Sequence, residues 1–287
     1  MKTLFRSIVI PGLLLLCGVS NAQQEMYGPD YPGVGFVQKL FGEDRLYFRM
    51  GALYMYPDVK TKSITLKNLS EIAEVAVEPG PQEGEAFSDP LLLPAATIGY
   101  KLRWRLWGGG WSFETMAALP PTLELKAKGK LADVPLVTEA NGIPTEVPAL
   151  GEKVAETKVA PPMFTLVKRF NNNGRLRPYV GLGWVYLFTY DSHVTNPVLL
   201  EVGEPELDIE DKFGFVGQLG LDYQMTDYWW VSADFKYLSV PDVKATVEDA
   251  YIKPKGLPQY EYAEVGDAEF VADLNTYAFH IGVGFTF

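Results

Sequence analysis

The sequence predicts an all-β fold, an eight-stranded antiparallel transmembrane β-barrel with short periplasmic turns and long extracellular loops. The terminal segment 277–287 places large apolar side chains at odd positions and small or polar ones at even positions, which is the alternation of a strand with one apolar face. Seven earlier segments alternate in the same way, and short connections between them alternate with long ones. An even number of strands with these two kinds of connection is typical of bacterial transmembrane barrels.

A leader is predicted at the N-terminus. Lys2 and Arg6 precede an apolar stretch at 8–19 and the small-residue sequence Ser20-Asn21-Ala22, which is the pattern of a secretory signal peptide. The apolar stretch is shorter than the roughly 20 residues that a spanning helix needs. The predicted division is a signal peptide at 1–22, a periplasmic segment at 23–43 and the barrel at 44–287.

The single cysteine, Cys17, lies inside the predicted leader. A lipoprotein would acylate this residue, but Leu16 precedes it where such a signal carries a small residue. We therefore expect Cys17 to leave with the leader, so that no disulfide stabilises the mature chain. Its stability then depends on barrel closure and packing.

The alternation and the turn residues place the eight strands in order. The predicted ranges are 44–56, 91–104, 110–119, 162–170, 176–190, 213–225, 229–240 and 271–287. Tight turns rich in Gly or polar residues fall at 104–110, 171–175 and 226–228. Long loops rich in Pro, Gly and acidic residues fall at 57–90, 120–161, 191–212 and 241–270. The larger apolar side chains of each strand are predicted to face lipid, and a periplasmic β-sandwich with these residues in its core is the alternative fold.

Composition excludes several classes of protein. No apolar run of about 20 residues follows residue 22, so a membrane can be crossed only by strands. The net charge of −11 disfavours nucleic-acid binding. The chain has no Gly-rich phosphate loop, no CxxC pair and no HExxH pattern, so we expect no cofactor and no metal. The acidic loops are expected to be solvated, with cation bridging to lipopolysaccharide as the alternative.

Inward-facing side chains sort by depth if the first strand starts in the periplasm. Near the outer mouth they are almost all apolar, which indicates a path for an apolar guest. The residues assigned to this mouth are Leu53, Met55, Leu93, Met116, Met163, Val185, Leu187, Val216 and Leu238. The alternative is that these side chains only pack beneath the loops.

Deeper inward-facing side chains are mostly charged and of both signs. The residues assigned to this polar floor are Arg49, Lys101, Arg103, Glu114, Arg169, Arg177, Gln218, Asp222, Asp234, Lys236 and His280. The interior of an eight-stranded barrel is just wide enough to be filled by side chains, so opposite charges there should pair and plug it. An apolar funnel above such a floor disfavours a water-filled porin, which needs roughly 16 strands.

A guest above a closed floor has to leave sideways. Proline has no N–H to donate to a β-ladder and is confined to edges, strand starts and bulges. Pro94, Pro120 and Pro121 lie near the outer ends of the second and third predicted strands, and Pro178 lies inside the fifth. We expect these four residues to mark a lateral opening toward lipid, and the alternative is that prolines merely end the strands.

Several of these strands together resemble the outer membrane protein W family. The resemblance rests on RPYVGLGWVY at 177–186, FGFVGQLGLDY at 213–223, WWVSADFKY at 229–237 and GVGFTF at 282–287, with support from LPP at 119–121 and APP at 160–162. It covers the strands but not the loops, which are longer here than is usual in the family.

The resemblance implies a hydrophobic channel that is closed toward the periplasm, takes up small hydrophobic molecules and releases them laterally into the membrane. The family often has an inward Trp where this chain has Phe213. Phe213 is therefore added to the apolar mouth, although strict alternation turns it toward lipid.

The sequence gives little support to catalysis. Asp191-Ser192-His193 has suitable residue types, but three adjacent loop residues cannot converge on one reacting atom. His280 has no Ser nearby in its own strand. We expect no enzyme activity, and the alternative function is a structural, adhesive or phage-receptor surface barrel.

The expected partners follow from this location in the outer membrane. They are small hydrophobic molecules, outer-membrane lipid and lipopolysaccharide, and the barrel-assembly machinery, which would bind through the C-terminal Phe287. No nucleic-acid partner is expected.

Overall fold

Eight strands dominate the computed structural model. It describes residues 45–68, 80–81, 85–104, 106–108, 110–133, 139–140, 143–144, 146–171, 173–256 and 262–286. The barrel strands are β1 (Leu46–Lys67), β2 (Leu91–Lys101), β3 (Trp111–Ala118), β4 (Met163–Arg169), β5 (Leu176–Leu187), β6 (Lys212–Gln224), β7 (Trp229–Ile252) and β8 (Ala263–Thr286). The predicted leader at 1–22, the segment at 23–43 and Phe287 lie outside the described residues.

The eight strands close on themselves. Each strand pairs antiparallel with the next, and β8 pairs with β1 from Tyr47–Thr286 to Lys67–Asp267. Closure removes the free sheet edge and gives the backbone N–H and C=O groups partners inside a bilayer. The predicted eight-stranded antiparallel barrel is confirmed, and all eight predicted strands have a counterpart.

The outer surface of the barrel is apolar and exposed, as predicted for lipid-facing residues. Leu182 is 76% exposed, and the ring of Phe164 stacks between those of Phe113 and Trp184, with centroid distances of 6.1 and 6.0 Å. A continuous apolar surface of this kind is suited to lipid and would be a liability in water. Among the described residues, no helix is both long and apolar enough to cross a membrane.

Three strands extend well beyond their predicted outer ends. β1 reaches Lys67 instead of residue 56, β7 reaches Ile252 instead of 240, and β8 begins at Ala263 instead of 271. The extension carries charged residues that the sequence analysis assigned to loops. On neighbouring strands these charges pair, as Lys62 Nζ of β1 does with Asp273 Oδ1 of β8 at 2.7 Å, and such cross-strand pairs stabilise a sheet.

The long loops also pair with one another. Four short strands form a sheet in the order Thr189–Val194, Lys153–Val159, Thr122–Lys128 and Glu85–Phe87, which we call the loop sheet. Glu206–Ile209 pairs with β7, and Gly80–Pro81 pairs with β1. The remaining described elements are the pair Glu139–Ala140 and Ile143–Pro144, the 3-10 turns Leu106–Gly108 and Leu199–Glu201, and the helical turn Lys130–Asp133.

Candidate functional site: polar plug, apolar lumen and wall gap

A buried ionic network crosses the lumen nearer to the short turns. We call it the polar plug, and it consists of Tyr47, Arg49, Glu114, Arg169, Tyr179, Asp222, Asp234 and Lys236. Arg49 Nη2 lies 3.1 Å from both Glu114 Oε2 and Asp234 Oδ2. Arg169 Nη2 lies 2.7 Å from Glu114 Oε1, and its Nε lies 2.9 Å from Asp222 Oδ2.

The charges of the polar plug balance. Arg49, Arg169 and Lys236 face three carboxylates, those of Glu114, Asp222 and Asp234, and Lys236 itself pairs with Asp234. Buried charges are tolerated when they are paired and hydrogen-bonded in this way. Since β1, β3, β4, β5, β6 and β7 all contribute side chains, the polar plug spans the lumen.

Two tyrosines complete the polar plug, and both are supported by glycines. Tyr47 donates a hydrogen bond to the Glu114 carboxylate, and Tyr179 Oη accepts one from Arg49 Nη1 at 2.7 Å. The Tyr47 ring lies over Gly99, where an added Cβ would overlap it. A strand glycine often marks such a close approach.

Most of the predicted floor residues lie in or beside the polar plug. Arg49, Glu114, Asp222, Asp234, Lys236 and His280 are buried in the lumen. Lys101 and Arg177 lie lower and line a recess at the end with the short turns. Arg103 was predicted wrongly, because β2 ends at Lys101 and Arg103 is exposed beyond the range where alternation applies.

His280 marks the upper boundary of the polar plug on β8. The ring is fully buried, and its Nδ1 lies 3.8 Å from Asp234 Oδ2, which is too long for a hydrogen bond. Its ladder partner on β1 is Leu53, the first apolar side chain above Arg49 on the inward face. On β1 and β8 the change from polar to apolar lumen therefore falls at the level of His280, and on β7 it falls between Lys236 and Leu238.

Above this level the lumen is lined by apolar side chains. We define the apolar lumen as the buried cluster of Leu53, Ala95, Met116, Val159, Met163, Val185, Leu187, Val216, Leu238, Val240, Val243 and Ala278. It contains seven of the predicted mouth residues, and Met55 packs against it. Leu93 is half-buried and pairs with Leu53 in the β1–β2 ladder. Leu123 and Ile209 from the loops also pack against the cluster, so the loops cap the apolar lumen.

Phe213 lies outside the lumen, and its assignment to the mouth was wrong. The side chain is 66% exposed on the outer surface, where its ring lies 4.6 Å from the ring of Tyr186. Val216 is three positions further along β6, and it faces the lumen. Regular alternation therefore holds in β6, and the family pattern does not transfer to this position.

The ladder between β2 and β3 is interrupted along the barrel wall. Their ladder ends at the Ala95–Ala118 pair. The segment before β2 and the segment after β3 pair again only at Phe87–Lys126, in the loop sheet. Residues 88–94 and 119–125, all of them described, form no ladder pairs with each other in between. We call this break the wall gap, and it lies beside Ala95 of the apolar lumen.

Three of the four predicted prolines border the wall gap. Pro94 lies on its β2 side, where it still pairs with Ala52 of β1, and Pro120 and Pro121 lie on its β3 side. Pro178 was predicted wrongly as part of the lateral opening, because it pairs with Leu221 near the opposite end of the barrel. Its ring replaces an N–H there without opening the ladder.

The outer edge of the wall gap is held by charged and aromatic contacts. Lys126 forms a hydrogen-bonded ion pair with Asp89 on the other side of the wall gap. This hydrogen bond raises the pKa of Lys126. The ammonium group of Lys128 lies 3.9 Å from the centroid of the Phe87 ring, within the range of a cation–π contact. The wall gap is thus bounded by the loop sheet above and the barrel ladder below.

The Asp191-Ser192-His193 segment does not form a catalytic arrangement. Ser192 Oγ lies 2.7 Å from Thr157 Oγ1, and the Asp191 carboxylate pairs with Lys158 at 2.6 Å. His193 Nδ1 lies 3.3 Å from the backbone oxygen of Asp191. The three side chains therefore have separate partners. Within the described part of the chain, no group of three or more His, Cys, Asp or Glu residues is placed to hold a metal ion.

A closed eight-stranded barrel with an apolar exterior and a plugged lumen defines the class as an outer-membrane β-barrel. The profile of the OmpW family matches residues 43–287, and the chain belongs to the OmpW family.

Named relatives agree with this assignment. Outer membrane protein W of Vibrio cholerae is 29% identical over 130 residues, which cover 45% of this chain and 52% of that protein. Outer membrane protein AlkL of Ectopseudomonas oleovorans is 28% identical over 122 residues, which cover 40% of this chain and 50% of that protein. The alignments thus span about half the length of these curated relatives.

A solved structure supports the fold. The crystal structure of the outer membrane protein OprG from Pseudomonas aeruginosa superimposes with a TM-score of 0.62 at 21% identity, covering 85% of this chain and 96% of that one. Membership of the OmpW family and the named relatives identify the protein as an outer-membrane protein of a Gram-negative bacterium.

Proposed function

We propose that this barrel carries small hydrophobic molecules from the cell exterior into the outer membrane, through the apolar lumen and out through the wall gap. One observation carries the proposal, namely that the apolar lumen is closed below by the polar plug and interrupted at its side by the wall gap. The polar plug prevents passage to the periplasm, because a guest would have to separate paired buried charges without replacing their partners.

Access from outside passes the loop cap. Leu123 and Ile209 cover the apolar lumen, so a guest enters when these loop segments move aside. Burial of the guest against apolar side chains stabilises it by roughly 25 cal/mol for each Å² removed from water. The lumen then needs no specific polar contact to hold a hydrocarbon-like molecule.

Release through the wall gap requires no break in an existing ladder. Leu92 is 71% exposed on the β2 side and Leu119 is 53% exposed on the β3 side, so apolar side chains border the route toward lipid. Because residues 88–94 and 119–125 are unpaired with each other, a guest can pass without the loss of inter-strand hydrogen bonds. Lateral release therefore costs less than passage through the polar plug.

A disulfide across the wall gap should block transport. Pro94 and Leu119 are the next positions in register beyond the Ala95–Ala118 pair, so P94C/L119C can be oxidised to seal the wall. We expect oxidation to block uptake of a labelled apolar compound, because the disulfide holds the two sides of the wall gap together, and we expect reduction to restore it.

The matched control for this disulfide is A96C/A117C, which links two residues that already pair in the same ladder. Its oxidation should leave uptake unchanged, and no native cysteine outside the predicted leader competes for either bond. Equal uptake by the oxidised and reduced forms of P94C/L119C would show that release does not use the wall gap.

A surface role without transport is the second candidate. It is favoured by the pairing of the loops, because an ordered loop sheet can present a fixed surface to another cell or to a phage. We propose no catalytic role, since the side chains of Asp191, Ser192 and His193 have separate partners. Contacts with lipopolysaccharide, and with the assembly machinery through Phe287, stay predictions.

A further inference from the structure

Two neighbouring turns at the periplasmic end are strongly basic in an otherwise acidic protein. The segments 101–111 and 168–178 contain Lys101, Arg103, Arg105, Lys168, Arg169, Arg175 and Arg177 and no Asp or Glu, whereas the whole chain has a net charge of −11. β3 and β4 pair through Trp111 and Lys168, and Arg169 N donates to Gly110 O at 2.8 Å, so the two turns lie side by side.

The same turns expose large apolar side chains. Trp107 is 83% exposed at a positive φ of 50°, and Trp104, Leu106, Phe170 and Leu176 are also exposed. The rings of Trp104 and Trp107 lie 6.3 and 5.9 Å from that of Trp111, at the periplasmic end of β3. The patch therefore continues the lipid-facing surface beyond the ends of the strands.

Lys168 joins the charge to the aromatic rings. Its ammonium group lies 5.6 Å from the Trp111 ring and 5.8 Å from the Phe170 ring, and it donates to Trp107 O at 2.9 Å. These contacts hold the turn that carries Trp107 against the barrel. Arg103 and Arg175 flank this centre, one on each turn, and both side chains are exposed.

We propose that this surface binds anionic phospholipid headgroups in the inner leaflet of the outer membrane. We define it as the basic rim, made of Arg103, Trp104, Leu106, Trp107, Phe170 and Arg175, with the buried Lys168 beneath it. Indole rings favour the boundary between hydrocarbon and headgroups, which places the neighbouring guanidinium groups at the depth of the lipid phosphates. Arg binds phosphate oxygens through two parallel N–H donors, and an anionic headgroup complements the positive charge.

The test measures which lipids stay bound to the purified protein. Wild type, R103Q/R175Q and the control K60Q/K253Q are reconstituted in vesicles of equal parts phosphatidylethanolamine and phosphatidylglycerol, then extracted and analysed by mass spectrometry. The control removes two exposed cations at the opposite end of the barrel. We expect wild type and control to retain phosphatidylglycerol preferentially, and R103Q/R175Q to lose this preference by roughly 25-fold, because each of the two basic side chains contributes a factor of about five near an anionic surface.

The proposal would be overturned if R103Q/R175Q preferred phosphatidylglycerol as strongly as wild type does. It would also be overturned if wild type showed no preference for phosphatidylglycerol. If neither form preferred a lipid, and an acidic periplasmic protein bound wild type but not R103Q/R175Q, the basic rim would be a binding site for a protein instead. Uptake of apolar compounds is scored separately and should be normal in R103Q/R175Q, since the basic rim lies on the far side of the polar plug from the apolar lumen. Loss of lipid preference and loss of uptake are therefore distinguishable.

Discussion

Glu114→Gln should lower the free energy of unfolding of the barrel by about 3–5 kcal/mol, the cost of leaving a buried charge without its partner. Glu114 contacts both Arg49 and Arg169 and accepts a hydrogen bond from Tyr47. The substitution keeps the shape of the side chain but removes one of three carboxylates that balance three cations. Net positive charge would then be buried in the narrow lumen.

Urea titration of the protein in lipid vesicles measures this change, with the fraction folded followed by the mobility of the unheated barrel on a denaturing gel. The matched control is Glu204→Gln, an exposed loop residue at which the same substitution should change stability by less than about 0.5 kcal/mol. If Glu114→Gln unfolded at the same urea concentration as the wild type, the polar plug would not be a source of stability.

Met116→Asp should reduce uptake of an apolar compound by about tenfold or more. Met116 is buried in the apolar lumen and lies opposite Met163 in the β3–β4 ladder. A carboxylate there holds water, which an apolar guest would have to displace without offering a hydrogen bond in return. The measurement is the initial rate of uptake by cells that contain equal amounts of folded barrel.

Met116→Leu is the control, because a volume-conserving apolar substitution should leave uptake within about twofold of wild type. Leu187→Gln gives a second polar variant in the same cluster without a charge, in case Met116→Asp impairs assembly. Wild-type uptake by a folded Met116→Asp or Leu187→Gln barrel would remove these residues from the path.

The barrel could be predicted because lipid and lumen impose opposite demands on alternating residues. In β1 the outward Met50 and Tyr54 are exposed, and the inward Arg49 and Leu53 are buried, as the period-2 pattern predicts. Among the inward-facing residues, the position along each strand then gives the depth, with charged residues low and apolar residues high in the lumen. The sequence therefore predicts both layers.

The aromatic part of the polar plug was missed. Tyr47 lies two positions before Arg49 and shares its parity, so the alternation contained the signal. Tyrosine near a strand end is also common at the lipid interface, so the residue type alone does not indicate a place in the polar plug. Gly99, on which the Tyr47 ring lies, was the second available sign.

The loop sheet could not be predicted from local pattern. Its strands are short and come from separate loops, as when Thr122–Lys128 pairs with Lys153–Val159 on one side and with Glu85–Phe87 on the other. Such pairing depends on which loops the barrel brings together. The outer extension of β1, β7 and β8 was missed for a related reason, since its partly exposed charges also pair with opposite charges on a neighbouring strand.

The central claim is that the barrel admits apolar molecules selectively. Its most direct test compares the uptake of a labelled small hydrocarbon and of a sugar of similar size by cells that lack the protein and by cells that overproduce it. We predict faster uptake of the hydrocarbon alone, because the polar plug closes the lumen to water-soluble compounds while the apolar lumen and wall gap lead to lipid. Equal acceleration of both compounds, or of neither, would contradict this account.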